Sequence, residues 1–566
     1  MSQAPSILDR GPDPKKMWLF GLLVFACALA TRLALLASLP QSISYDVTIQ
    51  EGSDTHRFFV WALSISEKGD LVGQGVYNQS PLYPYFLALI FELTGGGNLV
   101  IPRLVQAFIG SLTAVVVFLF GVRLRSYAAG VLGGLLIAFY GPLLMYDTAF
   151  LRTSILTFIN VLLLYQLARA RTAPSGGKGL FIGILFGLAI LAKPNILIML
   201  PALAWWIMDA RKVSRGERRG PFSAQDKITW MPRPSAWRAL VVWTVIGFVA
   251  VMSVLAARNI KAGVSPFALT RRGALEFIAG NHPEVDVYGW DVTPSVYRIK
   301  KECQNSLLKS VPAVVGIYGD NPQDLVIRQF KKFWVLLNWF AAHEINYYME
   351  KHYLSILKLP WINWPVLLGF ALCGMFFVLK SRRRYFELYS YLLLYTLVTV
   401  AFYVNIRFRV PLVPALAVFA GVALESMYDF ARKKRWKSLA PALVFVIATA
   451  VILWPRPDEP LGPNDYHNLV RYHLIKEEPE KAEKWHQKGL EHSRELVREQ
   501  GDARSHYLVA RMLFLGGEPL ERVEKELEKA ESIEHGPPLQ ARIEELRKAI
   551  QRRKTVEDEL WKGYRI

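Results

Sequence analysis

Cysteine is scarce in this chain: three in 566 residues, Cys27, Cys303 and Cys373, all far apart. Cys27 and Cys373 fall inside apolar runs, so neither a disulfide framework nor a cysteine-based metal site is expected. No nucleotide-sugar motif is visible, and no small-residue cleavage site follows the first apolar run. The centres of the helix-length apolar runs are almost free of ionisable residues. What fills them is 52% hydrophobic content, with 16 Trp, 24 Tyr, 31 Phe and positive mean hydropathy. That is a membrane composition rather than a string of soluble domains.

The formal charge of +20 at first suggests nucleic acid. From Arg456 to Ile566, however, there are 21 basic and 23 acidic residues, so the tail is about neutral. The surplus belongs to the apolar part of the chain, where Lys and Arg mark cytoplasmic loops. Nucleic acid is therefore not the partner.

A crossing helix needs about 20 mostly apolar residues. Eleven spans are expected, at 17–39, 100–122, 127–146, 150–168, 180–192, 195–209, 238–257, 361–379, 385–404, 408–428 and 438–455. The first is read as an anchor because it is long for a signal segment. The pair 180–192 and 195–209 reads as a tight hairpin turning at Lys193-Pro194-Asn195. Pro81–Leu93 is too short to span comfortably and is expected to be re-entrant or interfacial.

With the N-terminus inside, the basic clusters Arg123/Arg125, Arg169/Arg171/Lys178, 209–237, Lys380–Arg384 and Arg432–Lys437 all fall on the cytoplasmic side. The expected setting is the inner (plasma) membrane, with the C-terminus on the periplasmic side. Three hydrophilic regions then lie outside: 40–80, 258–360 and the tail. Residues 1–455 form the expected transmembrane domain and 456–566 an outer helical domain. Tyr507, Ala510, Phe514, Val523, Leu527 and Ala530 fit one tetratricopeptide-like helix pair, and a weaker unit ends near Leu490. A generic amphipathic helical domain is the alternative, and in either case the tail could hold a protein partner.

Basic residues at the outer boundary run against the charge bias and call for a reason. Arg407 and Arg409 flank Phe408 just before Pro411. If that stretch is extended, both project to one side, a good clamp for a lipid phosphate. The alternative is that they only snorkel. Lys193 at the hairpin tip, and Arg258, Arg271 and Arg272 in or near the start of the long outer loop, add further fixed cations. An anionic lipid headgroup would explain them together.

The acidic candidates lie in the first outer loop. Ser53 can cap a helix whose apolar positions Phe58, Trp61, Ala62 and Ile65 recur at helical spacing, which places it along the membrane surface. Asp54 then stands in the first turn, either complementing the helix dipole or serving as a general base. Asp46 and Glu51 are close enough to compete, and Asp147 on the next outer turn is a secondary acidic candidate. His343 and Glu344 could bind a divalent metal, although a lone His–Glu pair is more often structural. No other cofactor is indicated.

Several segments resemble, in order, the bacterial branch of the protein O-mannosyltransferase and lipid A aminoarabinose transferase superfamily. They are Asp54-x3-Phe58-x3-Ala62, Gln79-Ser80-Pro81-Leu82-Tyr83-Pro84 and Gly187-Leu188-Ala189 through Lys193-Pro194. Ala257-Arg258-Asn259 and Arg272 through Asn281 follow, then Phe333-Trp334 to Asn338 with Glu344 and Asn346, and Arg407-Phe408-Arg409-Val410-Pro411-x2-Pro414. Phe58 stands where the family has Tyr, and Arg272 and Glu276 replace its usual Asn. The resemblance covers roughly 17–455 and implies a polytopic helical C-type glycosyltransferase fold. It also implies a sugar donor held on a polyprenyl phosphate and an inverting transfer at the outer face. In that reading Asp54 is the base toward an acceptor hydroxyl of a glycan, lipid or protein. Arg407, Arg409 and Lys193, with Arg258 and Arg272, would hold the phosphate. The rival classes are a lipid or glycan transporter and a scaffold working through its helical tail. A transporter tends to keep ionisable residues at mid-membrane depth, which the spans here lack.

Overall fold

The computed structural model describes residues 13–42, 45–47, 53–214, 234–285, 287, 292–338, 354–454, 463–533, 535 and 537–555. Among them no strand occurs, only an isolated bridge between Tyr140 and Ile362. In chain order the helices begin with α1 Pro14–Ser38, α2 Asp54–Lys68, α3 Leu82–Thr94, α4 Ile101–Leu124 and α5 Tyr127–Ala138. They continue with α6 Gly141–Thr148, α7 Thr153–Thr172, α8 Gly176–Ala192, α9 Leu200–Ser214 and α10 Pro234–Lys261. Next come α11 Arg272–Asn281, α12 Pro294–Glu302, α13 Leu307–Ile317 and α14 Pro322–Leu337. Then come α15 Trp364–Phe377, α16 Phe386–Ala401, α17 Val413–Arg432 and α18 Trp436–Ile452. The tail holds α19 Pro463–Ile475, α20 Pro479–Glu499, α21 Ala503–Leu515, α22 Leu520–Ser532 and α23 Pro537–Thr555.

The fold is helical throughout the described residues, and the chain is an integral membrane protein. Five stretches, Pro14–Ser38, Ile101–Leu124, Thr153–Thr172, Ser235–Lys261 and Arg407–Arg432, are long and apolar enough to cross a membrane, and shorter apolar helices accompany them. The expected single span 127–146 is two helices. The chain leaves α5 at Phe139–Tyr140, where Phe139 and Gly141 exchange backbone hydrogen bonds with Ile362 at 3.0 and 3.1 Å. The hairpin at Lys193 is also modified. Lys193 is extended and ends α8, and a 3-10 turn, Pro194–Met199, leads into α9.

The chain divides into two compact units, one made of 1–45, 54–273 and 326–455, the other of 46–53, 274–325 and 456–566. In the first, small residues set the helix spacing, as they do where packing rather than the hydrophobic effect joins helices in lipid. Gly179, Gly183 and Gly187 line one side of α8 against α10, and a Cβ at Gly183 would stand 2.0 Å from the Thr244 carbonyl oxygen. In the second, Leu490, Tyr507, Ala510, Val523, Leu527 and Ala530 are buried in one core, with Phe514 packed against it. These are the positions that the tail's helical spacing selected.

Asp147 lies in the first unit, near the end of α6. Its Oδ2 accepts from Arg32 Nε of α1 at 2.8 Å, and both side chains are buried. Gly110 of α4 makes room for the pair, since a Cβ there would meet Asp147 Oδ2 at 2.1 Å. Removing one partner strands the other's charge, which typically costs about 3–5 kcal/mol. Asp147→Ala should therefore lower the thermal unfolding midpoint in detergent sharply. An Arg32→Met/Asp147→Leu double variant should recover most of the loss, and an unchanged midpoint for Asp147→Ala would dismiss the pair as a stabilising element.

Candidate functional site

The amphipathic α2 follows the expected pattern. Phe58, Phe59, Ala62 and Ile65 are buried, and Trp61, half-buried, packs on the Tyr77 ring at 5.3 Å. Phe58 meets Tyr83 of α3 edge-on at 5.2 Å. This packing fixes the first turn of α2, and with it Asp54, beside the start of α3.

Asp54 is held at both carboxylate oxygens. Gln79 Nε2 donates to Oδ1 at 2.8 Å and Arg407 Nη2 donates to Oδ2 at 2.9 Å. Arg272 and Arg57 stand 3.7 and 3.9 Å from Oδ1. Burial pushes the Asp54 carboxyl upward, but Arg407, Arg272, Arg152 and the Gln79 hydrogen bond outweigh it. They hold the group well below the usual carboxylate range. The cluster is not sealed: Asp54, Arg407 and Arg272 keep 16%, 18% and 21% of their side-chain surface.

Arg407 reaches Asp54 because of a local turn. Asn405 is extended, and its Oδ1 accepts from the Arg407 backbone N–H at 2.8 Å, capping the short helical stretch Ile406–Arg409. This corrects the expectation of an extended segment with Arg407 and Arg409 on one side. A helical turn sends the two guanidiniums to different places. Arg409 is buried, lies 4.8 Å from the Trp364 ring, and donates to the carbonyls of Leu336, at 3.2 Å, and Asn338. Lys193 is also buried, with Nζ 3.2 Å from the centre of the Phe408 ring, whose centre lies 5.6 Å from the Arg407 guanidinium carbon. It therefore stands directly behind the Arg407 turn.

Arg258, expected to meet a phosphate, is bonded to backbone in this structure. Its Nε and Nη1 donate to the carbonyls of Val72 and Gly75 at 2.5 and 2.7 Å, and its guanidinium covers the Tyr77 ring at 3.7 Å. The Arg271 backbone N–H adds a bond to the Tyr77 carbonyl at 2.9 Å. Together these hold the loop that delivers Gln79 to Asp54.

Of the expected site residues, then, Asp54, Arg407 and Arg272 come together, Lys193 lies behind them, and Arg258 and Arg409 brace the surrounding backbone. Asp147 is closed off by Arg32. Glu344, His343 and Glu51 lie outside the described residues. Among those described, no group of three or more His, Cys, Asp or Glu side chains could hold a metal ion. Gln79 and Arg152 were missed by the sequence reading. Gln79 stood inside a motif with no role assigned to it, and Arg152, counted as part of the span 150–168, immediately precedes α7.

Residues 78–219 match the family model described as dolichyl-phosphate-mannose-protein mannosyltransferase. Two of the segments that carry the family resemblance, Gln79–Pro84 and Gly187–Pro194, lie within that match. No curated protein matches the chain. Among solved structures, the oligosaccharyltransferase of Archaeoglobus fulgidus in its apo form is 15% identical. The match covers 82% of this chain and 59% of that one, with a TM-score of 0.44. ArnT of Cupriavidus metallidurans bound to undecaprenyl phosphate is 17% identical over 88% of this chain and 74% of that one, with a TM-score of 0.40. AglB of Archaeoglobus fulgidus, in complex with an inhibitory peptide and a dolichol-phosphate, is 14% identical over 88% and 60%, with a TM-score of 0.39. The chain thus spans less than two thirds of the length of the archaeal proteins.

The loop brace can be tested directly. A hydrogen bond to a charged group contributes about 1.5–3 kcal/mol. In Arg258→Ala, amide exchange across residues 70–79 should therefore speed up by roughly 10–100-fold, with α10 unaffected. Unchanged exchange in that loop would remove Arg258 from this role.

Proposed function

We propose that this chain is a membrane glycosyltransferase. It would move a sugar from a polyprenyl-phosphate donor to an acceptor hydroxyl at the outer face of the inner membrane, with inversion at the sugar C1 and Asp54 as general base. The observation that carries this reading is the partly exposed carboxylate at the first turn of α2, gripped by Arg407 and Gln79 with Arg272 alongside. The family match over 78–219 supports it, since the family's described donor is a dolichyl phosphate sugar. The N-terminus would be cytoplasmic, and 456–566 a periplasmic helical domain able to hold a protein partner. Alkaline phosphatase fused after Trp454 should then be active, and a stable but inactive fusion would reverse that orientation.

The chemistry follows from the charges. The acceptor oxygen attacks C1, the bond from C1 to the phosphate oxygen breaks, and the electron pair leaves on the polyprenyl phosphate. The acceptor proton passes to Asp54. Arg407 and Arg272 stabilise the charge gathering on the departing phosphate, where prepositioned donors lower the barrier most. In the resting enzyme those same guanidiniums hold Asp54 in a weakly basic state. A donor phosphate competes for them, and the carboxylate becomes more basic as they turn toward it. Donor binding and base activation are thereby coupled, and the coupling is reciprocal.

Asp54→Asn removes both the base and the phosphate's competitor. Transfer from a polyprenyl-phosphate sugar should fall by about 10²–10⁴-fold, while binding of the polyprenyl phosphate tightens. Near-normal transfer would move the base elsewhere, and no transfer by the parent with any donor would favour a transporter. The pH profile carries the sign of the coupling. Asp54 is depressed in the free enzyme, so it is ionised above its lowered pKa and loses activity only when the pH falls through that value. The acid limb of kcat/KM for the donor, which reports the free enzyme, should lie at lower pH than that of kcat, which reports the bound complex. Coincident limbs would refute the coupling and leave the base assignment standing.

A further inference from the structure

The part of α14 from Val326 onward is built inside out. Arg328, Lys332, Val335 and Leu336, spaced along one helical face, are buried. The opposite face shows Val326 (54% exposed), Ile327, Phe330 (70%), Phe333 and Trp334 (45%). In water this arrangement would be unfavourable twice over, because it buries cations and leaves an apolar patch on the order of a few hundred Å² uncovered. In hydrocarbon the apolar face is the natural exterior, and cations belong on the protein side. Sequence composition had placed this stretch in a hydrophilic outer region.

Three contacts tie the helix to the ends of apolar helices. Lys332 Nζ donates to the carbonyls of Ala401 and Phe402, at 3.4 and 3.2 Å, where α16 ends. Trp364 Nε1, at the start of α15, donates to the Leu337 carbonyl at 2.9 Å, and Arg409 takes that of Leu336. On α16 itself, Leu393 and Leu397 are 61% and 54% exposed, as side chains facing lipid would be. The apolar face of α14 therefore belongs to a unit whose exterior is already lipid-facing. Trp334 and the exposed Lys331 suit the boundary with the headgroups.

We propose that α14 from Val326 to Leu337 is a membrane-immersed interfacial helix, its Val326, Ile327, Phe330, Phe333 and Trp334 face lying among the acyl chains of the bilayer. This rests on the membrane character of the chain and not on the glycosyl-transfer reading. The test uses the full chain with Cys27, Cys303 and Cys373 replaced by Ala or Ser. A nitroxide is placed at Phe330→Cys, at Val326→Cys or, as a water reference, at Asp324→Cys. The protein is reconstituted in vesicles of phosphatidylethanolamine and phosphatidylglycerol, and collision rates with oxygen and with a water-soluble nickel chelate are measured. The expected result is an oxygen-to-nickel ratio several-fold higher at 330 and 326 than at 324. Nickel access at 330 and 326 equal to that at 324 would show a water-facing helix and overturn the proposal. Low access to both reagents would show the face covered by protein, such as a second copy of the chain, and would overturn it equally. If one variant does not yield a folded protein, the other carries the measurement alone.

Discussion

The carboxylate of Asp54 is the point around which this part of the first unit is organised. Arg272 and Arg407 approach it from stretches of chain remote in sequence, Arg57 stands one turn along the same helix, and Arg152 acts on it electrostatically. Like charges about 4 Å apart at a protein boundary interact by about 4 kcal/mol. A cluster of guanidiniums of this kind is therefore sustained by an anion among them. The neighbouring structure can be read as the means of holding that anion in place. The packing of α2 on α3 fixes the first turn, Arg258 ties down the loop that carries Gln79, and the Asn405 cap turns Arg407 inward.

Arg407 and Arg409, for which the sequence suggested one shared task, the clamping of a phosphate, are sent to different places. The short helical turn sends one guanidinium to the open carboxylate and buries the other. The buried one belongs to a reciprocal arrangement. Arg409 takes carbonyls at the C-terminal end of α14, and Lys332 of α14 takes carbonyls at the C-terminal end of α16. Each cation sits where a helix presents its negative pole and unsatisfied acceptors. The backbone just before Asn405 is braced in this way, which is what a side chain aimed at a carboxylate needs from its support.

Much of this was legible in the sequence because lipid imposes strong rules. Apolar length placed most of the helices, and cations standing against the charge bias expected of them pointed to Arg407 and Arg272. The failures have specific causes. The break at Phe139–Tyr140 depends on pairing with Ile362, more than 200 residues away, and leaves no local signal in an apolar run. The turn at Ile406–Arg409 is set by one Asn side chain, while proximity to Pro411 argued for extended backbone. The backbone contacts of Arg258 were not foreseen, because a guanidinium that binds carbonyls and one that binds phosphate have the same sequence signature. Gln79 carries no charge and so broke no rule that would have drawn attention to it.

The same limit explains α14. Composition averages the two faces of a helix, so a segment with Arg328, Lys331 and Lys332 beside Phe330, Phe333 and Trp334 reads as amphipathic whichever face is buried. Direction is decided by what the cations can reach. Here Lys332 finds the acceptors at the end of α16, and the aromatic residues are left outside. Amphipathic α2 makes the opposite choice, burying Phe58, Phe59, Ala62 and Ile65 against protein, with Asp54 in its first turn in contact with arginines. α2 and the part of α14 from Val326 onward lie in the same unit and have comparable side-chain inventories. What separates them is whether the available partners are apolar rings or backbone carbonyls. At a membrane boundary the polar partners, more than hydrophobicity, therefore set which face of a helix turns inward.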